Sequence, residues 1–246
     1  MQYVSLVPRP PLNSLIDDLY YLEGTPPYPR LRVPPVPSAL LILNLGPPFA
    51  IHAATTGTET ASYADGCVIT TPTRALEVGY PLDTRSVGVH FKPWGLAPFL
   101  GLPAAELRER LATAPGPHEM LRLLEEELMR RLTETTGLEL VRHTSTVIAA
   151  AAGAVTIGDL STAAGVSNTH LAQRFKALIG ITPKRPARTY RFASIVLTID
   201  PTRPIDWIEL AGRAGYFDQA HFGNEFRTFT GLTPTQYVQA RRRFLR

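Results

Sequence analysis

The chain has 246 residues, 44% of them apolar, and a formal net charge of +4, which suits two modest domains with real cores. Its one cysteine, Cys67, excludes an internal disulfide and any metal site built on paired cysteines. Because no apolar run approaches the roughly 18 residues that span a bilayer, and the N-terminus lacks the basic and apolar regions of a signal peptide, we expect a soluble cytoplasmic protein without a membrane partner.

Residues 1 to about 100 consist of short apolar runs separated by turn residues, which predicts strands. The predicted strands are Ala39–Leu45, Gly66–Thr71, Ala75–Tyr80 and Ser86–Phe91. Their spacing of about ten residues favours an antiparallel sandwich or barrel. The stretch Gly24–Ser38 is rich in proline, which lacks a backbone donor, so it is predicted to be an edge strand or a long loop.

From Ala97 the pattern becomes helical. The stretch His118–Glu134 places apolar residues on one stripe at helical spacing: Met120, Leu121, Leu124, Leu128 and Leu132. The stripe fits a helix packed on its own sheet, and it also fits a short dimer helix of coiled-coil type. We place a domain boundary after this helix, which gives an N-terminal sensor or dimerisation domain at 1–136 and a second domain at 137–246.

The charge is distributed unevenly. Residues 141–246 carry 14 Lys+Arg against 6 Asp+Glu, a net +8, whereas the remainder carries 11 against 15, a net −4. A basic C-terminal third on an acidic body is typical of polyanion binding in that third, and it also fits an ordinary solvated surface.

The basic third contains one apolar skeleton twice. GVSNTHLAQRFKALIGITP begins at Gly165, and AGYFDQAHFGNEFRTFTGLTP begins at Ala214. Aligned on their glycines, the copies share apolar and turn positions: Leu160 with Leu210, Gly165 with Gly215, Leu171 with Phe222, Phe175 with Phe226, Gly180 with Gly231, and Pro183 with Pro234. Few of the polar letters repeat.

Each copy is predicted to be a helix, a glycine turn and a second helix. Thr156, Ser167 and Asp218 are suitable N-caps, and the glycines suit turns with positive φ. The units extend over about 156–183 and 204–234, with a linker helix from about Pro186 to Thr198 between them. This is the helix-turn-helix arrangement, whose second helix enters the DNA major groove. The predicted fold class is therefore α+β: a mainly-β barrel or sandwich followed by an all-α domain with two helix-turn-helix units.

The second helix of each unit has an outward face. Its residues are Asn168, Thr169, Ala172, Gln173 and Lys176 in the first copy, and Gln219, Ala220, Gly223, Asn224 and Arg227 in the second. Gln and Asn bond adenine, the Thr methyl contacts thymine, and Lys and Arg meet phosphate or guanine. Polar letters on an outward face also occur on any solvated helix, but two copies in register inside the basic region favour double-stranded DNA.

The stretches LSTAAGVSNTHLAQRFKALIGITP and IELAGRAGYFDQAHFGNEFRTFTGLTPTQYVQARRRF resemble the AraC/XylS family of bacterial transcription regulators. The resemblance covers about Val141 to Phe244 and implies a seven-helix module whose two recognition helices bind adjacent major grooves. It implies base contacts from Thr169, Gln173, Gln219 and Ala220, and phosphate contacts from Arg174, Lys176, Arg185 and Arg227. VPSALLILNLGPPF and SVGVHFKPWGLAPFLGLPAAEL are similar to the sensor domain that precedes this module in one branch of the family.

This sequence departs from the family pattern at Gly223–Asn224, where the family has a polar residue followed by Arg. An alternative is therefore that the second helix-turn-helix unit does not read DNA and serves only as a dimer or partner module. Another alternative, from a different class, is a DNA-repair alkyltransferase or glycosylase fused to a helix-turn-helix module. Cys67, the one thiol, lacks the flanking Pro or His of an alkyl-transfer site.

No motif for a nucleophilic Ser, a phosphate loop, a dinucleotide fold or a zinc protease is present, and the six histidines are scattered, so no metal or cofactor is expected. Tyr80, His90 and Trp94 are candidates for a small-molecule effector pocket, although they also fit an ordinary core and rim. A homodimer and contact with RNA polymerase are candidate partnerships, and nothing in the sequence separates activation from repression.

Overall fold

The computed structural model describes residues 1–27, 30–33, 35–53, 58–70, 74–102 and 104–244. Within them, nine strands precede nine α-helices. The strands are β1 (Gln2–Leu6), β2 (Ile16–Gly24), β3 (Arg30–Val33), β4 (Ala39–Asn44), β5 (Phe49–Ala53), β6 (Glu59–Tyr63), β7 (Gly66–Ile69), β8 (Leu76–Gly79) and β9 (Thr84–Phe91). They form two antiparallel sheets with the orders β1-β2-β9-β4-β7 and β3-β8-β5-β6, which agrees with the predicted fold class.

The first sheet has two different faces because side chains alternate along a strand. Leu19 and Leu41 both lie opposite Val89 in the ladder, and all three belong to the main hydrophobic core. The residues between these core positions along each strand face the second sheet. Ile42 belongs to a second apolar cluster, with Phe49 and Val78 of the second sheet.

Two helices cover the outer face of the first sheet: α1 (Ala104–Ala112) and α2 (Pro117–Arg131). The apolar stripe of α2 is almost fully buried against that sheet, with Met120, Leu121, Leu124 and Leu128 exposed by 1% or less. The packing interpretation of this stripe is therefore correct. The dimer-helix interpretation is wrong for these residues, because their side chains are already enclosed by their own domain.

The four predicted strands are present, each within two residues of the expected ends. The proline-rich stretch supplies β3, which among the described residues is an edge strand paired only with β8, as expected. Tyr28, Pro29 and Pro34 lie outside the described residues. The sequence pattern does not predict several strands, among them β2, an interior strand of the first sheet. Its Asp17 and Asp18 interrupt the apolar pattern, and in the structure they contact Lys92 and His90 at the end of β9.

The described part of the chain after residue 137 contains seven helices. They are α3 (Leu138–Ala150), α4 (Ile157–Ala163), α5 (Asn168–Ile179), α6 (Lys184–Val196), α7 (Trp207–Arg213), α8 (Gln219–Thr230) and α9 (Pro234–Phe244). Two apolar clusters hold them. One joins α3, α4 and α5 with the start of α6, and the other joins the end of α6 with α7, α8 and α9. Helix α6 belongs to both clusters and links the two halves.

No helix among the described residues combines the length and the apolar character needed to cross a membrane.

Candidate nucleic-acid interface

The first helix-turn-helix unit is α4, a turn and α5, and local side chains fix both helix starts. The backbone N–H of Asp159 donates to the Thr156 hydroxyl at 3.0 Å, and that of His170 donates to the Ser167 hydroxyl at 3.2 Å. Each bond satisfies a donor that the first helical turn leaves free. Gly165 in the turn and Gly180 after α5 have φ of 66° and 83°, a conformation that glycine adopts at little cost.

The second unit repeats this geometry. Asp206 caps α7 by accepting from the backbone N–H groups of Ile208 and Glu209, and Asp218 caps α8 by accepting from His221 N–H. Gly215 and Gly231 have φ of 72° and 74°. Helices α5 and α8 both contain 12 residues. The repeated sequence skeleton is thus a repeated structure.

The bounds of two elements differ from the prediction. The second unit begins at the Asp206 cap and not at Pro204, because the Asp206 carboxylate holds two amide hydrogens. The linker helix begins at Lys184, two residues before the expected start at Pro186. Proline is tolerated anywhere in the first helical turn, where no intrahelical N–H bond is lost, so its presence does not mark the first residue.

Three predicted contacts in the first unit, Thr169, Gln173 and Lys176, are exposed on one face of α5. The Asn168 side chain also contacts the preceding helix. Its oxygen accepts a hydrogen bond from the Ser161 hydroxyl at 2.5 Å, which links α5 to α4.

Arg174 is half-buried, and its aliphatic stem lies close to Gly137, where a methyl group added to the glycine would come within 2.9 Å of the arginine Cδ. The stem of Arg174 is thereby positioned at the start of α3.

In the second unit, Gln219, Ala220, Asn224 and Arg227 are exposed on α8. Gly223 lies between them with open space around it, since nothing approaches the position of a methyl group within 4 Å. The opposite face carries Phe222, Phe226 and Phe229, which pack in the apolar cluster around α6. The exposed face of α8 is therefore available to a partner, although it offers fewer long polar side chains than α5.

A buried ion pair joins the linker helix to the second recognition helix. Glu225 is 3% exposed, and its carboxylate accepts from Arg188 Nε at 2.5 Å. Arg185 and Arg188 also lie over the Phe229 ring, at 5.6 and 5.9 Å from its centroid. Burial, and then the charge of Arg188, lower the pKa of Arg185.

The sequence pattern alone does not reveal the role of Glu225. The sequence does contain one indication of this role: Glu225 occurs, at helical spacing, on the same apolar face as Phe222, Phe226 and Phe229. An acid in that position must either disturb the core or find a buried partner. Arg188, one turn into the linker helix, is that partner.

The candidate effector residues lie in two different places. Tyr80 and His90 line a cavity of about 180 Å³ between the two sheets, together with Tyr20, whose ring stacks on His90 at a centroid distance of 4.8 Å. His90 Nδ1 is hydrogen-bonded to Asp18 at 2.7 Å, and burial raises the pKa of the Tyr20 hydroxyl.

Trp94 does not line this cavity, which corrects the predicted set. Its indole Nε1 donates to the Ser14 carbonyl at 2.9 Å, and its ring packs against both the main core of the β domain and the α3–α5 cluster. Trp94 follows the end of β9, so the chain has already left the sheet and its side chain fills the junction between the two parts of the protein.

Two family models match the chain. Residues 160–240 match a helix-turn-helix domain, and residues 4–113 match a domain of unknown function, DUF6597. No curated protein sequence matches the chain.

The solved structures that resemble it include ToxT from Vibrio cholerae O395, at 9% identity over 89% of this chain and 96% of that chain, with a TM-score of 0.46. A second crystal form of Vibrio cholerae ToxT gives 7% identity, 97% and 98% coverage and a TM-score of 0.45.

Sequence and structure point the same way. Two helix-turn-helix units with recognition helices of equal length lie in the basic third of the chain, and each of their helices begins at a side-chain cap. The matched helix-turn-helix model covers residues 160–240, which include both recognition helices. Residues 160–240 therefore form a helix-turn-helix domain of the AraC type, and the chain is a DNA-binding regulator.

Proposed function

We propose that α5 and α8 read base edges in two successive major grooves of one DNA duplex. The proposed base contacts are Thr169, Gln173, Gln219, Ala220 and Asn224, with Asn168 at the start of α5. The proposed phosphate contacts are Arg174, Lys176, Arg185 and Arg227. We further propose that residues 137–246 form the DNA-binding domain and residues 1–136 the regulatory domain.

The observation that carries this proposal is the repeated geometry of the two units. Each has a side-chain cap on the third amide of the recognition helix, a left-handed glycine in the turn and another after the helix. The buried residues repeat between copies while the exposed ones differ, as base reading by two helices at different sites requires. The 13-residue linker helix, about 20 Å long, separates the units and supports a spacing of one DNA turn, ~34 Å.

The experiment that tests base reading is a gel shift with the full chain on a duplex selected from a random library. We expect Gln173→Ala and Gln219→Ala each to relax preference at one base pair, by about 1–3 kcal/mol, since a bidentate contact is lost. The matched control is Lys176→Gln, which should weaken binding to all probes alike and reduce the salt slope by about 0.9.

Two results would overturn the proposal. One is the absence of binding at low salt to any duplex by the folded chain. The other is uniform weakening of all probes by both glutamine substitutions, which would make these residues phosphate contacts. Loss of base preference with Gln173→Ala but not with Gln219→Ala would restrict reading to the first unit.

The effector, the homodimer and the contact with RNA polymerase also belong to the proposal. The cavity lined by Tyr80 and His90 supports a small effector, because it lies between the sheets and combines aromatic walls with a few polar groups. Sedimentation of the chain with and without DNA tests the dimer. Transcription in vitro from a promoter that carries the selected duplex tests contact with the polymerase.

The state of Cys67 favours a regulator over an alkyltransferase. Burial raises the pKa of its thiol to about 11, so very little thiolate is present at neutral pH. Cys67 also packs against the small apolar cluster between the sheets. A catalytic thiol needs a lowered pKa and an open approach, and neither is supported at this position.

A further inference from the structure

The turns of the two helix-turn-helix units differ by one residue. Val166 and Tyr216 are equivalent, because the backbone N–H of each donates at 3.0 Å to the carbonyl five residues earlier. In the first unit the cap of the recognition helix, Ser167, follows Val166 directly. In the second unit Phe217 lies between Tyr216 and the cap, Asp218. Phe217 is therefore the additional residue of the second turn.

The side chain of Phe217 does not take part in the core of the second unit. Phe217 is 93% exposed, whereas its neighbour Tyr216 is buried in the apolar cluster that includes α7 and α8. The Tyr216 ring meets those of His221 and Phe222 edge-on, at centroid distances of 5.2 and 5.3 Å. Phe217 stacks on no ring among the described residues. The additional residue thus presents a large apolar ring to solvent.

Phe217 lies beside the proposed reading face of α8. It precedes the Asp218 cap, and the first two residues of the helix, Gln219 and Ala220, are exposed. In helix-turn-helix proteins the N-terminal residues of the recognition helix contact the edges of the bases. The exposed ring is therefore continuous with the surface that approaches DNA.

The reading face of α8 leaves room for an apolar contact. Ala220 and Gly223 have short side chains or none, and nothing approaches the position of a methyl group on Gly223 within 4 Å. In the major groove the C5-methyl group of thymine is the apolar group that distinguishes a base pair, and phenylalanine is among the residues that contact it. Contact between the ring and the methyl group removes both from water, which favours binding.

We propose that Phe217 is a specificity-determining residue that packs against the C5-methyl group of a thymine in the major groove entered by α8. This inference rests on the proposed function, because it requires α8 to lie in the groove. The first unit has no equivalent residue, so the preference for thymine belongs to the segment of the duplex that α8 contacts. Because the ring carries no charge, the contact releases no counterion from the DNA backbone.

The first experiment measures the affinity of the full chain for the selected duplex after single thymines are replaced by uracil, which lacks the C5-methyl group. The replacements cover the segment in which Gln219→Ala changes base preference. Wild type should lose about fourfold in affinity at one thymine, since one methyl group is no longer buried. Phe217→Ala should bind the thymine duplex about tenfold more weakly and be indifferent to uracil at that position. Phe217→Leu, which keeps an apolar side chain, should retain most of the affinity and the preference.

Three controls separate this contact from other causes of weak binding. Leu82 is 75% exposed in the β domain, so Leu82→Ala removes an exposed apolar side chain elsewhere and should bind DNA like wild type. Phe217→Ala should leave the salt dependence of binding unchanged, in contrast with Lys176→Gln. Urea denaturation of Phe217→Ala should match wild type because the ring is exposed.

Several results would overturn the inference. Wild-type affinity of Phe217→Ala, or a wild-type response of this variant to every uracil, would show that the ring does not contact a thymine methyl group. A reduced salt slope or a loss of stability in Phe217→Ala would assign its effect to a phosphate contact or to folding. Normal DNA affinity with a loss of transcription in vitro would assign the ring to a protein partner.

The failure of this inference differs from the failure of the proposed function. If wild type protects two segments of the duplex while Phe217→Ala behaves like Leu82→Ala, the reading of two grooves stands and the thymine contact is rejected. If the folded wild-type chain binds no duplex at low salt, the proposed function is rejected and the thymine contact with it.

Discussion

At the scale of single residues, Glu225 sets the position of the second recognition helix. It lies between Phe222 and Phe226 on the buried stripe of α8 and bonds to Arg188 of α6. The aromatic rings alone would hold α8 through non-directional packing. The carboxylate adds a directional bond between the two helices, because a buried charge is tolerated only where its partner is in place.

We predict that Glu225→Gln lowers the free energy of unfolding by about 1–3 kcal/mol, since the charged hydrogen bond from Arg188 is replaced by a weaker one. Arg188 is 36% exposed and gains hydration in the variant, which keeps the loss below that of a fully buried pair. Urea denaturation measures the change. Glu209→Gln, on the exposed face of α7, serves as the control. Equal stability of the two variants would show that the bond between Glu225 and Arg188 does not stabilise the packing of α8 on α6.

Cys67 provides a second test at this scale. With a pKa of about 11, its thiolate fraction near pH 8 is about a hundredfold smaller than that of an ordinary cysteine. We predict slow alkylation by iodoacetamide in the native state, with a rate that increases about tenfold per pH unit until pH approaches 11. The same thiol in urea-unfolded protein is the control. Equal rates in the folded and unfolded states would contradict the raised pKa of this thiol, and a faster reaction in the folded state would indicate an activated thiol.

At the scale of elements, the recognition helices show what the sequence predicts well. Their starts and ends depend on Ser167, Asp218, Gly180 and Gly231, which act on their own turns and can therefore be recognised locally. The ion pair between α6 and α8 could not be predicted in the same way. Its partners are 37 residues apart, so their contact depends on how the helices pack.

A matched pair of glycine substitutions tests whether α8 is a regular helix that ends at a left-handed residue. Gly223 is inside the helix with open space around it, so Gly223→Ala should raise the free energy of unfolding by about 0.5–1 kcal/mol. Gly231 has φ of 74°, so Gly231→Ala should lower it by about 1–2 kcal/mol through backbone strain. Urea denaturation of both variants measures these changes.

Gly212→Ala is the control for this pair, because it adds a methyl group in open space on α7, away from the proposed DNA-reading face. It should stabilise the protein about as much as Gly223→Ala does. If Gly223→Ala destabilises the protein while Gly212→Ala stabilises it, the interior of α8 is not a regular helix at that position.

At the scale of the whole molecule, tertiary contacts account for what the sequence does not predict. The interior strand β2 is not predicted because Asp17 and Asp18 interrupt its apolar pattern. Their partners, Lys92 and His90, lie at the end of β9, more than 70 residues away along the chain. Trp94 is close in sequence to Tyr80 and His90, which suggests one pocket, whereas the chain turns away from the sheet before Trp94.

Hydroxyl-radical footprinting of the full chain on a selected duplex distinguishes a chain that reads two successive major grooves from one that reads a single groove. We predict two protected segments on one face of the duplex, about 10–10.5 base pairs apart, one for each recognition helix. Gln219→Ala should alter base preference only within the segment assigned to α8. A single protected segment, or protection independent of DNA sequence, would contradict the reading of two grooves.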